Sequence, residues 1–392
     1  MNTNILAKEV QNYINEHINA DVNKIALAKS VFVNVSAAEI ANQIAAKKKS
    51  ISKLPTWFKQ QNIYYPALLS IEQCSSETTG AYKASLIKGN SVLDLTAGFG
   101  VDSYFFSKQA KQVLSCEINA ELAAITTHNC TVLGVQNQKV LATDGIEFLE
   151  NTELNFGTIY IDPARRKNSG KVFKLKDCTP DITSILPLLL QKAERIIVKT
   201  SPLLDISAGL NELKNVSEIH IVSVKNECKE LLWVIDKIPS SETHIVCVTL
   251  NQTDKILKFP LSALQDTTKI SIEEPHGFLY EPDVALLKSG GFNFIAQKFN
   301  ISKLHQDSQL YYSDQINPDF LGRIFKVKTL LSINELKKDK ALVGNVIVRN
   351  FPANAADLVK KYKIVPSDNE FIIFTQTLKG YLAIKAEIIQ HY

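Results

Sequence analysis

Four acids stand at the ends of short apolar runs in the first half of the chain: Asp94, Glu117, Asp144 and Asp162. The first lies in Val92-Leu93-Asp94-Leu95-Thr96-Ala97-Gly98-Phe99-Gly100-Val101-Asp102. A continuous apolar run marks a strand buried on both faces, and the residues after it predict a tight glycine loop and a helix opening near Val101. Gly98 and Gly100 admit backbone angles closed to other residues, and with Thr96 and Ala97 they let a ligand lie against the main chain. A carboxylate at Asp94 would repel a pyrophosphate but not a cationic amino-acid moiety. Glu117, followed by Ile118, is placed to accept both hydroxyls of a ribose. Asp144, in Leu141-Ala142-Thr143-Asp144-Gly145, is placed to accept from an exocyclic amine such as adenine N6. Asp162 opens Asp162-Pro163-Ala164-Arg165-Arg166, where a carboxylate can orient, or take a proton from, an attacking nitrogen or oxygen. Arg165, Arg166, Lys167 and Lys171 beside it are suited to clamp a substrate phosphate; an exposed basic loop with no partner is the alternative. Singly, each acid is also a plausible helix cap.

A nicotinamide-binding loop is the main competitor. It wants an uncharged strand end and a Gly or Ala three residues after the second glycine, where this chain has Asp94 and Ser103. Upstream, Ser70–Thr79 is polar and leads into the first core helix. Gln73, Ser76, Glu77 and Thr78 are candidates there for cofactor or substrate contacts, with a cap at Ser75 or Ser76 as the plainer explanation.

These residues need a scaffold. Strands are expected at Ser91–Leu95, Gln112–Glu117, Lys139–Thr143, Gly157–Ile161 and Arg195–Lys199, with helices such as Glu121–Leu133 between them. That alternation predicts a doubly wound, mostly parallel sheet. Glu218–Val224 and Glu230–Asp236 are joined by Lys225-Asn226-Glu227, a link too short for a parallel crossover, so they must be antiparallel. Residues 1–85 read as helical from Ile5, Val10, Ile14 and Ile18, then Ile40, Ile44 and Ala45. Lys47-Lys48-Lys49 before Trp57-Phe58 fits either a nucleic-acid contact or a lysine-neutralised helix end with Trp57 in the core. Past the linker Lys237–Ser241, strands are expected at His244–Leu250, Ile256–Phe259, Lys269–Ile272, Arg323–Leu331, Asn345–Arg349 and Phe371–Thr375. A helix is expected between Pro282 and Gly290-Gly291, and another at Ala355–Tyr362 with Asn354 as its cap. Tyr311-Tyr312 read as core more readily than as a stacking platform.

The 392 residues imply two to four domains. No run approaches the ~20 apolar residues that cross a bilayer, and the start lacks a secretory pattern, so a cytoplasmic protein is expected. None of the six cysteines forms a C-x-x-C pair and the histidines are scattered, so no metal is expected. The net charge of +4 is uneven: residues 1–70 carry +4 and residues 319–392 carry +5 around an acidic centre. Basic ends of this kind suit a polyanion, or are ordinary solvated lysine.

Taken in order, the strand-one acid with its glycine loop, the strand-two acid, the strand-three Asp and the strand-four Asp-Pro resemble the class I S-adenosylmethionine-dependent methyltransferases over about residues 86–236. The resemblance implies a Rossmann-like α/β core with an antiparallel terminal hairpin and S-adenosylmethionine as cofactor. It places that cofactor against Asp94, Thr96, Ala97, Gly98, Gly100, Glu117, Ile118, Asp144, Gly145 and Asp162, makes Asp162, Pro163 and Arg165 catalytic, and gives Glu77, Arg166 and Lys167 to the substrate. Methyltransferases acting on exocyclic amines carry an Asp or Asn, two prolines and an aromatic; Asp162 and Pro163 match, Ala164 and Arg165 do not. RNA uracil-C5 methyltransferases need a cysteine after the next strand, where Val198-Lys199-Thr200-Ser201-Pro202 has none. The strings Glu72-Gln73-Cys74-Ser75-Ser76-Glu77, Asp162-Pro163-Ala164-Arg165-Arg166 and Glu274-Pro275-His276 resemble bacterial methyltransferases with a THUMP-like C-terminal region. That implies four parts: a helical 1–85, a methyltransferase core 86–238, a small α+β ferredoxin-like module 239–320 and a THUMP-like module 321–392. It implies RNA, ribosomal or transfer, as substrate, with a base nitrogen as acceptor. A protein or small-metabolite acceptor, or a non-catalytic assembly factor that binds cofactor and RNA, remains open.

Overall fold

The apolar spacing of the first 85 residues folds as helices because each buries one stripe. In the computed structural model, which describes residues 1–165, 174–265, 273–337 and 342–392, these are α1 (Lys8–Glu16), α2 (Val22–Leu27), α3 (Ala37–Lys53), α4 (Pro55–Lys59), α5 (Leu68–Gln73) and α6 (Glu77–Ala84). Val10 and Ile14 of α1, Ile40 and Ile44 of α3 and Trp57 of α4 share one core with Phe99, Val101 and Ile125. A capping box of Ser36 with Glu39 starts α3, and Ser76 with Thr79 starts α6. In the basic-aromatic stretch Lys48 and Lys49 are exposed, but Trp57 is 1% exposed, and Lys47, itself buried, bonds Asn15. Neither Trp57 nor Lys47 is available to a nucleic acid.

The chain forms two units, Met1–Ser217 with Leu232–Ser240 and Glu218–Leu231 with Ser241–Tyr392. In the first, β1 (Ser91–Asp94), α7 (Val101–Ser107), β2 (Gln112–Cys116), α8 (Ala120–Val132), β3 (Gln138–Leu141), α9 (Gly145–Asn151) and β4 (Phe156–Ile161) alternate as the sequence predicts. The two-residue strands β5 (Ala164–Arg165) and β6 (Cys178–Thr179) pair apart from the main sheet. Then follow α10 (Ile182–Lys192), β7 (Ala193–Thr200) and α11 (Ile206–Glu212). The strands β7-β4-β1-β2-β3 lie side by side in that order, all parallel. The order reverses at β1, where an open α/β sheet leaves its ligand crevice.

The two strands β8 (Val216–Val224) and β9 (Glu227–Asp236) form the expected hairpin. Its turn is Lys225-Asn226, both at positive φ (52° and 59°), the geometry of a two-residue primed turn. Arg195 near the start of β7 holds Asp236 at the end of β9, whereas Thr200 at the end of β7 meets Trp233. The end of the hairpin therefore runs antiparallel to β7.

In the second unit, His244–Thr249 lies parallel beside β8, with Lys255–Pro260 antiparallel outside it. A separate seven-stranded sheet has the order Ser302–His305, Ser308–Ser313, Phe278–Pro282, Gly322–Ser332, Gly380–Gln390, Glu370–Thr377, Asn345–Val348. Its neighbours are antiparallel except the last pair, which is parallel. One face packs Leu279, Phe325, Phe371 and Ile384, and the other packs Ile372, Phe374 and Leu358. Tyr311 and Tyr312 are core. The helix expected after Pro282 is Val284–Ser289, capped by Asp283 and ended by Gly290; a second helix, Phe292–Phe299, follows it. The helix Ala355–Tyr362 has Asn354 as its cap. The expected strand Lys269–Ile272 lies outside the described residues.

Candidate functional site

The carboxyl ends of five parallel strands open onto one cavity of about 720 Å³. Leu95 and Thr96 reach it from β1, Glu117 and Ile118 from β2, Asp144 and Gly145 from beyond β3, Asp162 from β4 and Lys199 from β7. Gln73, Cys74 and Ser75 close one side.

The glycine loop is built by backbone constraint. Gly98 and Gly100 have φ of 54° and 77°, a region costly for side-chain-bearing residues. The two differ in surroundings: a Cβ on Gly100 would stand 2.5 Å from Thr126 Cγ2, whereas one on Gly98 would meet only Thr96 O, at 4.0 Å. Gly145 is needed for close approach, since a Cβ there would lie 2.5 Å from Leu95 O. Ala97 N donates to Cys116 O (2.9 Å), tying the loop to β2.

Glu117 holds the loop from the side. Its Oε2 accepts from Gly98 N and its Oε1 from Asn119 N, both at 2.8 Å. Each oxygen keeps a lone pair for a further donor. Ile118, next to it in the cavity lining, is 73% exposed. Asp144 caps α9 through Oδ1, which accepts from Ile146 N (2.7 Å) and Glu147 N (3.2 Å). The cap and the ligand roles weighed for it are compatible, because both capping bonds end on one oxygen.

Asp94 has a different place from that expected. It is 1% exposed and is absent from the cavity lining. Oδ1 accepts from Thr96 N (2.9 Å) and Oδ2 from Ser103 Oγ, which Ser115 supports in turn. Burial pushes its carboxyl up to about 7, against the pull of the Ser103 and Thr96 bonds. Asp94 braces the loop from beneath. The acid of this strand-loop-helix segment that does line the cavity is Asp102, in the first turn of α7. Oδ2 accepts from Ser75 Oγ and Tyr160 OH, both at 2.8 Å. Oδ1 is buried and faces the ammonium of fully buried Lys83 at 3.3 Å, with no hydrogen bond to it among the described residues.

Asp162 sits at the far side. Its backbone N–H donates to Thr96 Oγ1 (2.8 Å), linking the ends of β4 and β1. Its carboxylate Oδ2 takes a hydrogen bond and ion pair from Lys199 Nζ. Pro163 is buried, Ala164 lines the cavity, and Arg165 contributes backbone to β5. Arg166, Lys167 and Lys171 lie outside the described residues. Glu77 faces away from the cavity, and its two oxygens accept from Thr56 N and Thr56 Oγ1, anchoring the start of α4. Of the approach segment, Gln73 reaches the cavity and Ser76, Glu77 and Thr78 do not. Asp102, Lys83, Tyr160 and Lys199 went unassigned from sequence. Lys199 carried a usable signal, since it is a charged residue at the end of a predicted strand.

Two family models match the second half of the chain, a ferredoxin-like domain over residues 278–320 and a THUMP domain-like segment over residues 322–387. An uncharacterized S-adenosylmethionine-dependent methyltransferase of Mycobacterium tuberculosis is 20% identical over 331 residues, 80% of this chain and 85% of the relative. An uncharacterized RNA methyltransferase of Mycoplasma mobile is 27% identical over 172 residues, 39% of this chain and 46% of that protein. The crystal structure of a candidate methyltransferase from Porphyromonas gingivalis superposes with a TM-score of 0.88 at 28% identity, over 99% of each chain. Among the described residues, no helix is long and apolar enough to cross a membrane, and no group of three or more His, Cys, Asp or Glu is placed to hold a metal.

Proposed function

We propose that this class I S-adenosylmethionine-dependent methyltransferase with a THUMP-like C-terminal region methylates RNA at a base nitrogen. The observation that carries the reading is the single cavity onto which the glycine loop, Glu117, Asp144, Asp102 and Asp162 converge. The residues suit the cofactor. Glu117 has acceptor capacity left for ribose hydroxyls, Asp144 Oδ2 is available to an exocyclic amine, and Ile118 offers an exposed apolar surface to a purine face. Asp102, held by Lys83, Ser75 and Tyr160, puts a carboxylate in the lining of the same cavity, a charge suited to the cationic amino-acid end of the cofactor. When bound, S-adenosylmethionine supplies a methyl carbon already activated by its sulfonium, which leaves the chain the work of alignment.

Asp162 performs that work on the acceptor side. Thr96 fixes its backbone, and its carboxylate holds and orients the acceptor nitrogen and can take its proton. A base within a duplex must be flipped out to reach it. The THUMP-like segment and the relative named as an RNA methyltransferase support RNA as the substrate, as do the basic ends of the chain. The test is tritium transfer from labelled cofactor to total RNA of a deletion strain. Label should enter that RNA and fall away in Asp162→Ala, with S-adenosylhomocysteine calorimetry on the variant separating a lost acceptor contact from a lost cofactor contact. Equal labelling of RNA from wild-type and deleted cells, or label that resists ribonuclease and yields to protease, rejects RNA as substrate.

A further inference from the structure

The inference that follows rests on reading this cavity as an RNA methylation site. Its rim holds an ion pair between Asp162 and Lys199. The two follow directly on Ile161 and Val198, which are register partners on the parallel strands β4 and β7, so they leave the sheet at one level. Both line the cavity, with side chains 35% and 16% exposed. The neighbouring acids are held differently. Glu117 and Asp144 are bound by backbone N–H groups, and Asp102 by Lys83, which lies outside the cavity lining. Among the described residues, only Asp162 joins a lysine that itself faces the acceptor space. A partly exposed pair contributes little to folding stability, which leaves its charge at the reacting position to be explained.

We propose that Lys199 is a catalytic residue whose ammonium selects an acceptor that reacts as an anion, namely the ring N–H of a lactam base edge such as guanine N1 or uracil N3. An exocyclic amine attacks with a neutral lone pair and becomes positive as its new bond forms, which a nearby ammonium opposes. A lactam nitrogen behaves in the opposite way. Its proton passes to the Asp162 carboxylate, and the N–H electron pair stays on the ring. The resulting negative charge spreads to the adjacent carbonyl oxygen, where Lys199 neutralises it. The nitrogen then bonds the methyl carbon, the sulfur keeps the electron pair of the broken C–S bond, and Asp162 returns its proton to water.

The full-length protein, incubated with labelled cofactor and total RNA of a deletion strain, gives a product identifiable by nucleoside mass spectrometry. A ring-N-methylated guanosine or uridine is expected. Lys199→Met should lower the methylation rate about 100-fold and move the rising limb of its pH profile upward. Lys199→Arg should keep that limb near its original position. Both variants should bind S-adenosylhomocysteine by calorimetry as the parent does, which separates a role at the acceptor from collapse of the site. A product methylated on an exocyclic amine or a 2′-hydroxyl overturns the proposal while leaving RNA as substrate. So does Lys199→Met with an unchanged rate and pH profile. Absence of any labelled RNA overturns the parent reading, and this one with it.

Discussion

Asp94 shows how one residue can be right in position and different in role. Its place at the end of the first strand is what made the glycine loop stand out, yet its oxygens are spent on Thr96 N and Ser103 Oγ under the loop. Water is excluded there, so its carboxyl titrates near 7 rather than near the ~3.9 of an unfolded chain. The folded state thus binds this proton more tightly than the unfolded state does. Its contribution to stability is greatest below about pH 4, declines as pH rises from about 4 to 7, and is flat above that. Over that window the difference amounts to at most about 4 kcal/mol. Asp94→Asn keeps the acceptor for Thr96 N and removes the titration. Urea unfolding at pH 5 and pH 7.5 should show a smaller fall in stability for the variant than for the parent. An identical fall in both would place the titration elsewhere.

At the scale of elements, the core was legible where burial dictates pattern. Strands β1, β2, β4 and β7 are buried on both faces, so their apolar runs are continuous and their boundaries fall within a few residues of those predicted. Which partner a side chain takes was not legible, because that is decided by distant chain. Glu77 bonds Thr56, 21 residues away, and Lys199 meets Asp162 across 37. The second half was harder for a local reason. Phe278–Pro282 gave no strand signal, because Pro282 stood out as a mark of the following helix; the proline is the strand's last residue, and the helix opens two residues later at Val284. Gly380–Gln390 gave no strand signal for a similar reason, with lysine and glutamate breaking its apolar run. Trp57 on α4 illustrates how a helix supports the site it does not enter. Its ring packs edge-on against Tyr104 of α7 and near Phe99 in the glycine loop. Trp57→Ala should cost about 3–5 kcal/mol and weaken S-adenosylhomocysteine binding as well. Its buried Nε1 has no hydrogen-bond partner among the described residues, so Trp57→Phe removes an unsatisfied donor and should cost much less. Chemical denaturation of both variants decides it; equal losses would contradict the packing argument.

Across the whole molecule, charge is distributed by segment, and its meaning is testable. Residues 319–392 carry twelve Lys and Arg against seven Asp and Glu. Some of that excess is spent internally: Lys328 bridges Glu370 and Glu387, and Arg323 and Arg349 converge on buried Glu281, with Tyr392 also on that carboxylate. The remainder includes Lys360, Lys361 and Lys363, which are exposed at the end of the helix Ala355–Tyr362, inside the THUMP-like match. If this surface grips RNA, each lysine there displaces counterions, and affinity must fall steeply with salt. Replacing the three with glutamate should weaken RNA association by at least tenfold in low salt and flatten the salt dependence. S-adenosylhomocysteine binding should be untouched, because every residue lining its cavity lies within Ser70–Lys199. Filter binding of total RNA at two salt concentrations, beside calorimetry, measures both quantities. Unchanged RNA affinity with an unchanged salt slope would make these lysines an ordinary solvated face, and the polyanion would have to be held elsewhere in the chain.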